Sequence, residues 1–158
     1  MAVPEPASLI AKNNDFEPHE LLFRAVAPEN WNFATNEVLL AAIDLPQTSV
    51  DRSLYGSPEK LRSRDSKKSH WGVAHVSVGE LPSEVLPYEH ANPNVLPYYW
   101  SLDHDPEINN PAHTHIFTKN ARGVMGKPGD SRMKSTIREA LRKTFKPTLA
   151  PTAPDPHP

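Results

Sequence analysis

The chain has no cysteine and only 6 glycines in 158 residues. No run of it approaches the ~18 apolar residues that a membrane-spanning helix needs. Each absence removes a class. Without cysteine there is no disulfide framework, no cysteine-held iron–sulfur cluster and no thiol nucleophile. No Gly-x-Gly loop is present to cradle phosphates and no Gly-x-Ser-x-Gly elbow to carry a serine nucleophile, so those nucleotide-hydrolase and serine-hydrolase classes recede. The first 18 residues show no charged leader followed by an apolar segment. A soluble, cytoplasmic protein without membrane contact is expected.

Proline, by contrast, is abundant at 18 residues, so turns and extended connections should take up much of the chain. The length fits one domain. We expect a flexible lead-in over 1–18, a single domain over 19–146 and a proline-rich disordered tail over 147–158. Charge is unevenly placed. Between Lys119 and Lys146 there are nine basic residues against Asp130 and Glu139, a net +7, which leaves −9 for the rest. Either the basic end has an electrostatic function, or it complements an acidic body.

Alternation of apolar residues predicts strands over 20–26, 71–78 and 113–118. Arg24 interrupts the first, as a residue paired with a carboxylate at a sheet edge or as one facing a ligand. Residues 36–43 suit a short helix capped by Asn36 or a second strand. Residues 47–69 read as an exposed loop, with one helical turn near Glu59 to Arg62 and a basic cluster from Lys60 to Lys68. Val-Leu-Pro-Tyr occurs at 85–88 and again at 95–98. It is a proline-braced loop whose tyrosines pack on the domain, or an aromatic surface for a partner. The clearest element is a helix over 131–146, capped by Asp130 or Ser131 and stopped by Pro147. Its apolar face carries Met133, Ile137, Ala140, Leu141 and Thr144, and its basic face Lys134, Arg138, Arg142 and Lys146. The fold class is therefore α+β, a small, mainly antiparallel sheet covered by a C-terminal amphipathic basic helix.

The stretch "DHDPEINNPAHTHIF", residues 103–117, concentrates metal-friendly side chains. On a strand, His113 and His115 project side by side, as an H-x-H pair that chelates Zn²⁺ or another transition metal does, with Asp103, His104 or Asp105 as a third ligand. The same histidines suit general acid–base work, and His75-Val76-Ser77 is a second unit of the kind two-histidine phosphoesterases use. Asp105 before Pro106 and Asn110 before Pro111 are also turn signals, and a turn is the plainer reading. In a turn, Asp105 and Asn110 accept backbone N–H groups and His113 packs on the strand of His75; in a site, the imidazoles and a carboxylate converge. Arg24, Ser49, Asp51 and Arg52 loosely suggest an ADP-ribosyltransferase-like dinucleotide pocket, although no downstream glutamate stands out as catalytic.

The order "LLFRAVAPENW", "LLAAI", "SVDRS", "WGVAHVSVGEL", "DPEINNPAHTHI" and a closing basic helix resembles a group of small uncharacterised bacterial proteins. These carry a Ser-Ser-Ala-Ala-Phe-like run, a Ser-Val pair and an Asp-Pro…Asn-Pro-Ala-His segment. The likeness covers roughly residues 20–145 and departs from the group at Val38 to Leu40 and at the "VLPY" insertion. It implies one domain and draws attention to Asp105, Pro106, Asn110 and His113, with no activity attached. Two functions follow from the whole sequence. The first is an accessory protein that docks on a protein partner or nucleic acid through Lys134, Arg138, Arg142, Lys146 and the aromatic residues Tyr98 and Trp100. The second is a small metal- or histidine-dependent enzyme, of hydrolase or phosphoesterase type, built on Asp105, His113 and His115, with cofactor and metal unspecified.

Overall fold

In the computed structural model, which describes residues 9–82, 98–120 and 131–152, the first regular element is β1 (Leu21–Val26). A small hairpin of β2 (Trp31–Asn32) and β3 (Glu37–Val38) follows, then β4 (Gln47–Arg52), α1 (Pro58–Ser63) and β5 (Gly72–Ser77). The rest comprises β6 (Tyr98–His104), β7 (His113–Asn120), α2 (Ser131–Arg142) and β8 (Lys146–Leu149). Six strands form one antiparallel sheet in the order β6-β7-β4-β1-β5-β8. The three strands expected from alternation share this sheet, and the fold is α+β. No helix among the described residues is long and apolar enough to cross a membrane.

One sheet face carries Leu22, Val26, Val50, Ala74, Val76, Trp100 and Ile116, which join Ile137 and Leu141 of α2 in the hydrophobic core. The i, i+4 spacing of Ile137 and Leu141 puts both against the sheet. The other face is half exposed, and the hairpin of β6 and β7 forms one edge of the sheet.

Several expectations are corrected. Residues 36–43 divide between β3, which ends at Val38, and a 3₁₀ turn, Leu40–Ala42, capped by Leu39, so Asn36 caps no helix and no strand runs from Val38 to Ile43. Asn36 takes a positive φ of 55° in the β2–β3 turn, a conformation its short polar side chain tolerates, and accepts the Trp31 indole N–H. Residues 47–52, read as exposed loop, are the central strand β4. Its polar side chains hid it, because Thr48, Asp51 and Arg52 are buried by pairing rather than by being apolar. The 98–104 segment is an edge strand, with Trp100 in the core and Tyr98 packed against it, so these two do not sit on a loop. Most of the Val-Leu-Pro-Tyr repeat lies outside the described residues, as do Lys127 and the residues beyond 152.

The helix ends at Arg142 rather than reaching Lys146. Lys146–Leu149, placed at the helix end and the start of a tail, instead pair with β5 as β8. The chain then crosses Gly72 so closely that a Cβ there would stand 2.7 Å from Pro151 Cδ. Only glycine permits that crossing. Arg24 is not at a sheet edge, since β1 runs between β4 and β5. Its guanidinium donates to Ala42 O and Ser49 O and pairs with Asp44 at 3.0 Å.

The segment preceding β1 is fastened down. Arg52, wholly buried, forms a bidentate pair with Glu20 at 2.7 Å on both oxygens and donates to the carbonyls of Asn13 and Asp15. The Phe16 ring lies 4.0 Å from its guanidinium carbon. His104 adds a second tie. Its Nδ1 accepts the Asn13 N–H at 2.9 Å, which puts its own proton on Nε2, donated to Pro111 O at 2.7 Å.

Two predictions follow from these contacts. Removing one partner of a buried, hydrogen-bonded ion pair leaves the other unpaired, so Arg52→Ala should cost about 3–5 kcal/mol in urea unfolding. Glu20→Ala in the same chain should restore part of that loss. A cost below about 1 kcal/mol would show that the pair does not hold the lead-in. The second concerns His75, whose Nδ1 lies 2.6 Å from Thr148 Oγ1. Burial, then the Lys146 ammonium, hold His75 below the ordinary imidazole value, against an opposing pull from Glu80. The unfolded chain therefore binds this proton more tightly. The stability is full above the ordinary value and lost as pH falls through the lower folded one. Between about pH 7.5 and pH 5, the melting temperature should fall more steeply in the parent than in His75→Gln; equal slopes would exclude His75 as a cause.

Candidate metal centre

Along β7 the burial alternates, with Thr114, Ile116 and Thr118 buried and His113, His115 and Phe117 half exposed. Alternation alone puts both imidazoles on one face. Between β6 and β7 the chain makes a tight turn in which Glu107 and Asn110 exchange backbone hydrogen bonds at 3.0 Å in both directions. Asp105 N donates to His113 O at 2.9 Å, which continues the ladder and brings the Asp105 carboxylate beside the imidazoles.

The turn is itself anchored from below. Asn110 Oδ1 accepts the Ala112 N–H at 3.2 Å, while its Nδ2 donates to Asp51 Oδ1 at 2.9 Å. The second Asp51 oxygen receives Arg64. Asp51 is 2% exposed, so this carboxylate serves the hairpin and not solvent.

Asp105, His113 and His115 offer one ligand atom each, all within 4.8 Å of one another. His115 Nε2 is 3.2 Å from Asp105 Oδ2, and His113 Nδ1 is 3.8 Å from the same oxygen. His113 Nδ1 also lies 3.0 Å from Asp105 O and 3.0 Å from Glu107 Oε1. All these neighbours are acceptors, so the ring carries its proton on Nδ1, and a cation taken up there displaces it. The two rings meet edge to face, with centroids 4.6 Å apart. Two imidazoles and a carboxylate suit Zn²⁺ and other first-row divalent ions and leave coordination positions open. Glu107 adds a further carboxylate next to His113. His115 Nδ1 is buried without a hydrogen-bond partner among the described residues, so packing rather than an outer acceptor orients that ring.

Of the three residues considered as third ligand, the fold selects Asp105. Asp103 sits opposite His115 but pairs with Lys12 at 3.0 Å, and His104 points into the core. The turn reading also holds in part, since Asn110 accepts a backbone N–H. His113, however, packs between β4 and β6 and not on the strand of His75. The row His75–Phe23–Asp51–His113 puts three strand spacings, ~14 Å, between the two histidine motifs. They do not form one phosphoesterase site.

His113 is also part of the lining of an open cleft of about 480 Å³. Arg24, Ser49 and Asp51, grouped in the sequence as a loose pocket, line it as well, whereas Arg52 faces Glu20. Arg64, Lys68, Trp71 and Glu107 are also among its lining residues and were not singled out in the sequence. The Lys60–Lys68 basic cluster and the acidic residue inside "DPEINNP" were the available signals.

Lys134, Arg138, Arg142 and Lys146 do not form one basic stripe. Arg142 is held by Glu139 at 2.5 Å and donates to Val38 O, and Lys146 has left the helix for β8, where it pairs with Glu80 at 3.2 Å. Comparison with known proteins leaves the site to be read from its own geometry: no family model, no curated protein and no solved structure matches this chain.

Proposed function

We propose that the protein is a small metal-dependent enzyme of hydrolase type, its divalent ion held by Asp105, His113 and His115. The observation that carries this reading is the convergence of those ligand atoms within 4.8 Å, where the β6–β7 hairpin folds Asp105 back beside the imidazoles 8 and 10 residues later. The cleft against which His113 stands supplies space for a substrate. An ion in such a donor set lowers the pKa of bound water and turns it into a nucleophile near neutral pH. Glu107, 3.0 Å from His113 Nδ1 and exposed, is positioned to orient the ligand ring or to accept a proton from that water. The buried Asp51–Asn110 bond holds the hairpin, and therefore the Asp105 carboxylate, in place.

Docking on a protein or nucleic acid through the basic helix ranks second. Its proposed contact groups are dispersed: Lys146 and Arg142 are each paired with a glutamate, and Trp100 is 9% exposed within the core.

The test is metal analysis. Protein prepared without a histidine tag, loaded with Zn²⁺ and desalted, should carry close to one equivalent. His113→Ala and His115→Ala should each weaken the affinity by about tenfold or more. Circular dichroism should show both variants folded. Zinc that fails to bind the parent, or that stays bound to the folded His113→Ala/His115→Ala chain, would sink the reading.

A further inference from the structure

We propose that the cleft beside the metal group binds a small phosphate ester, with its phosphoryl group held by Lys68 and Arg64 and directed towards His113. The proposal deepens the metal-dependent reading and, as a catalytic statement, rests on it.

Three cations line the cleft, Arg24, Arg64 and Lys68, and they differ in how many donors remain. Arg24 is largely committed, through Nε, Nη1 and Nη2, to two carbonyls and Asp44. Arg64 gives Nη2 to Asp51, and its guanidinium has no other hydrogen-bond acceptor among the described residues. Lys68 forms no ion pair among the described residues; its ammonium lies 4.8 Å over the Trp71 ring, which keeps it at the cleft wall. Free guanidinium N–H groups and a free ammonium in one concave site are the donors that a phosphoryl group requires.

The size and the rim narrow the class further. About 480 Å³ is within the range of small-molecule pockets. Asp44 and Glu107 line the same cleft, side chains 66% and 59% exposed, and would repel a long polyanion such as a nucleic-acid strand. A single phosphoryl group can sit between them and the cations. Trp71 offers a flat apolar wall for the organic part of the ester. Hydrolysis there forms a bond from water oxygen to phosphorus and breaks the bond to the ester oxygen. That oxygen leaves as an alcohol with one proton of the water.

Phenyl phosphate is the probe, added to the full chain in excess EDTA and followed through the Trp71 indole N–H resonance, assigned with Trp71→Phe. A saturable shift is expected with phenyl phosphate and none with phenol. Lys68→Ala should weaken the affinity about tenfold, the effect of one charge-assisted hydrogen bond, with zinc uptake unchanged. Absence of a saturable shift in the parent, equal binding of phenol, or equal affinity in Lys68→Ala and Arg64→Gln overturns the proposal. Because the metal is chelated, the two readings fail separately. Phosphate-ester binding without zinc uptake removes the metal centre alone, and zinc uptake without phosphate-ester binding removes this inference alone.

Discussion

The buried pair between Arg52 and Glu20 is the constraint around which the rest is arranged. A fully buried guanidinium is tolerated only when its donors are taken up. Here Glu20 takes two of them at 2.7 Å, and the carbonyls of Asn13 and Asp15 take others. Satisfying one arginine therefore fixes the path of the segment that precedes β1. That segment in turn covers the end of β6, where Lys12 meets Asp103 and Asn13 meets His104.

The residue next to it does the opposite job on the opposite side of the strand. Successive side chains in β4 point to alternate faces, so Asp51 is turned towards the half-exposed face while Arg52 enters the interior. Asp51 there takes Asn110 and Arg64. The dipeptide Asp51-Arg52 thus ties two chain segments to one strand, the lead-in on one face and the β6–β7 turn on the other. The cluster of Asp105, His113 and His115 is a consequence of the second tie. Asp105 belongs to that turn, and its position relative to His113 and His115 depends on the turn being held.

The charge asymmetry of the chain resolves in part as internal complementation. Lys146 finds Glu80, a residue 66 positions earlier, when β8 docks on β5. Arg142 finds Glu139 one turn away on its own helix. Exposed pairs of this kind add little stability, since water and salt screen them. They do engage two of the basic groups that the sequence placed on one helical face.

Local pattern alone determined the α+β class, the strands around Leu21–Val26, Gly72–Ser77 and His113–Asn120, and the apolar helix face of Ile137 and Leu141, because period 2 and period 3.6 are set by backbone geometry. The same alternation placed His113 and His115 on one face. Tertiary structure decided what pattern cannot express. Thr48, Asp51 and Arg52 are polar by type and buried by partnership; Thr48 bonds Asp44 nearby, but Asp51 and Arg52 find Asn110 and Glu20 across 59 and 32 residues, so β4 read as loop. Whether Lys146 ended a helix or began a strand depended on the edge that β5 offers, and Gly72 made that edge accessible. Asp103, His104 and Asp105 all carry groups that ligate metal ions, two carboxylates and an imidazole. Lys12 and Asn13, some 90 residues away, engage the first two, and the hairpin register brings the third to the imidazoles. Which carboxylate joins a site is a question of long-range pairing, and only the folded chain answers it.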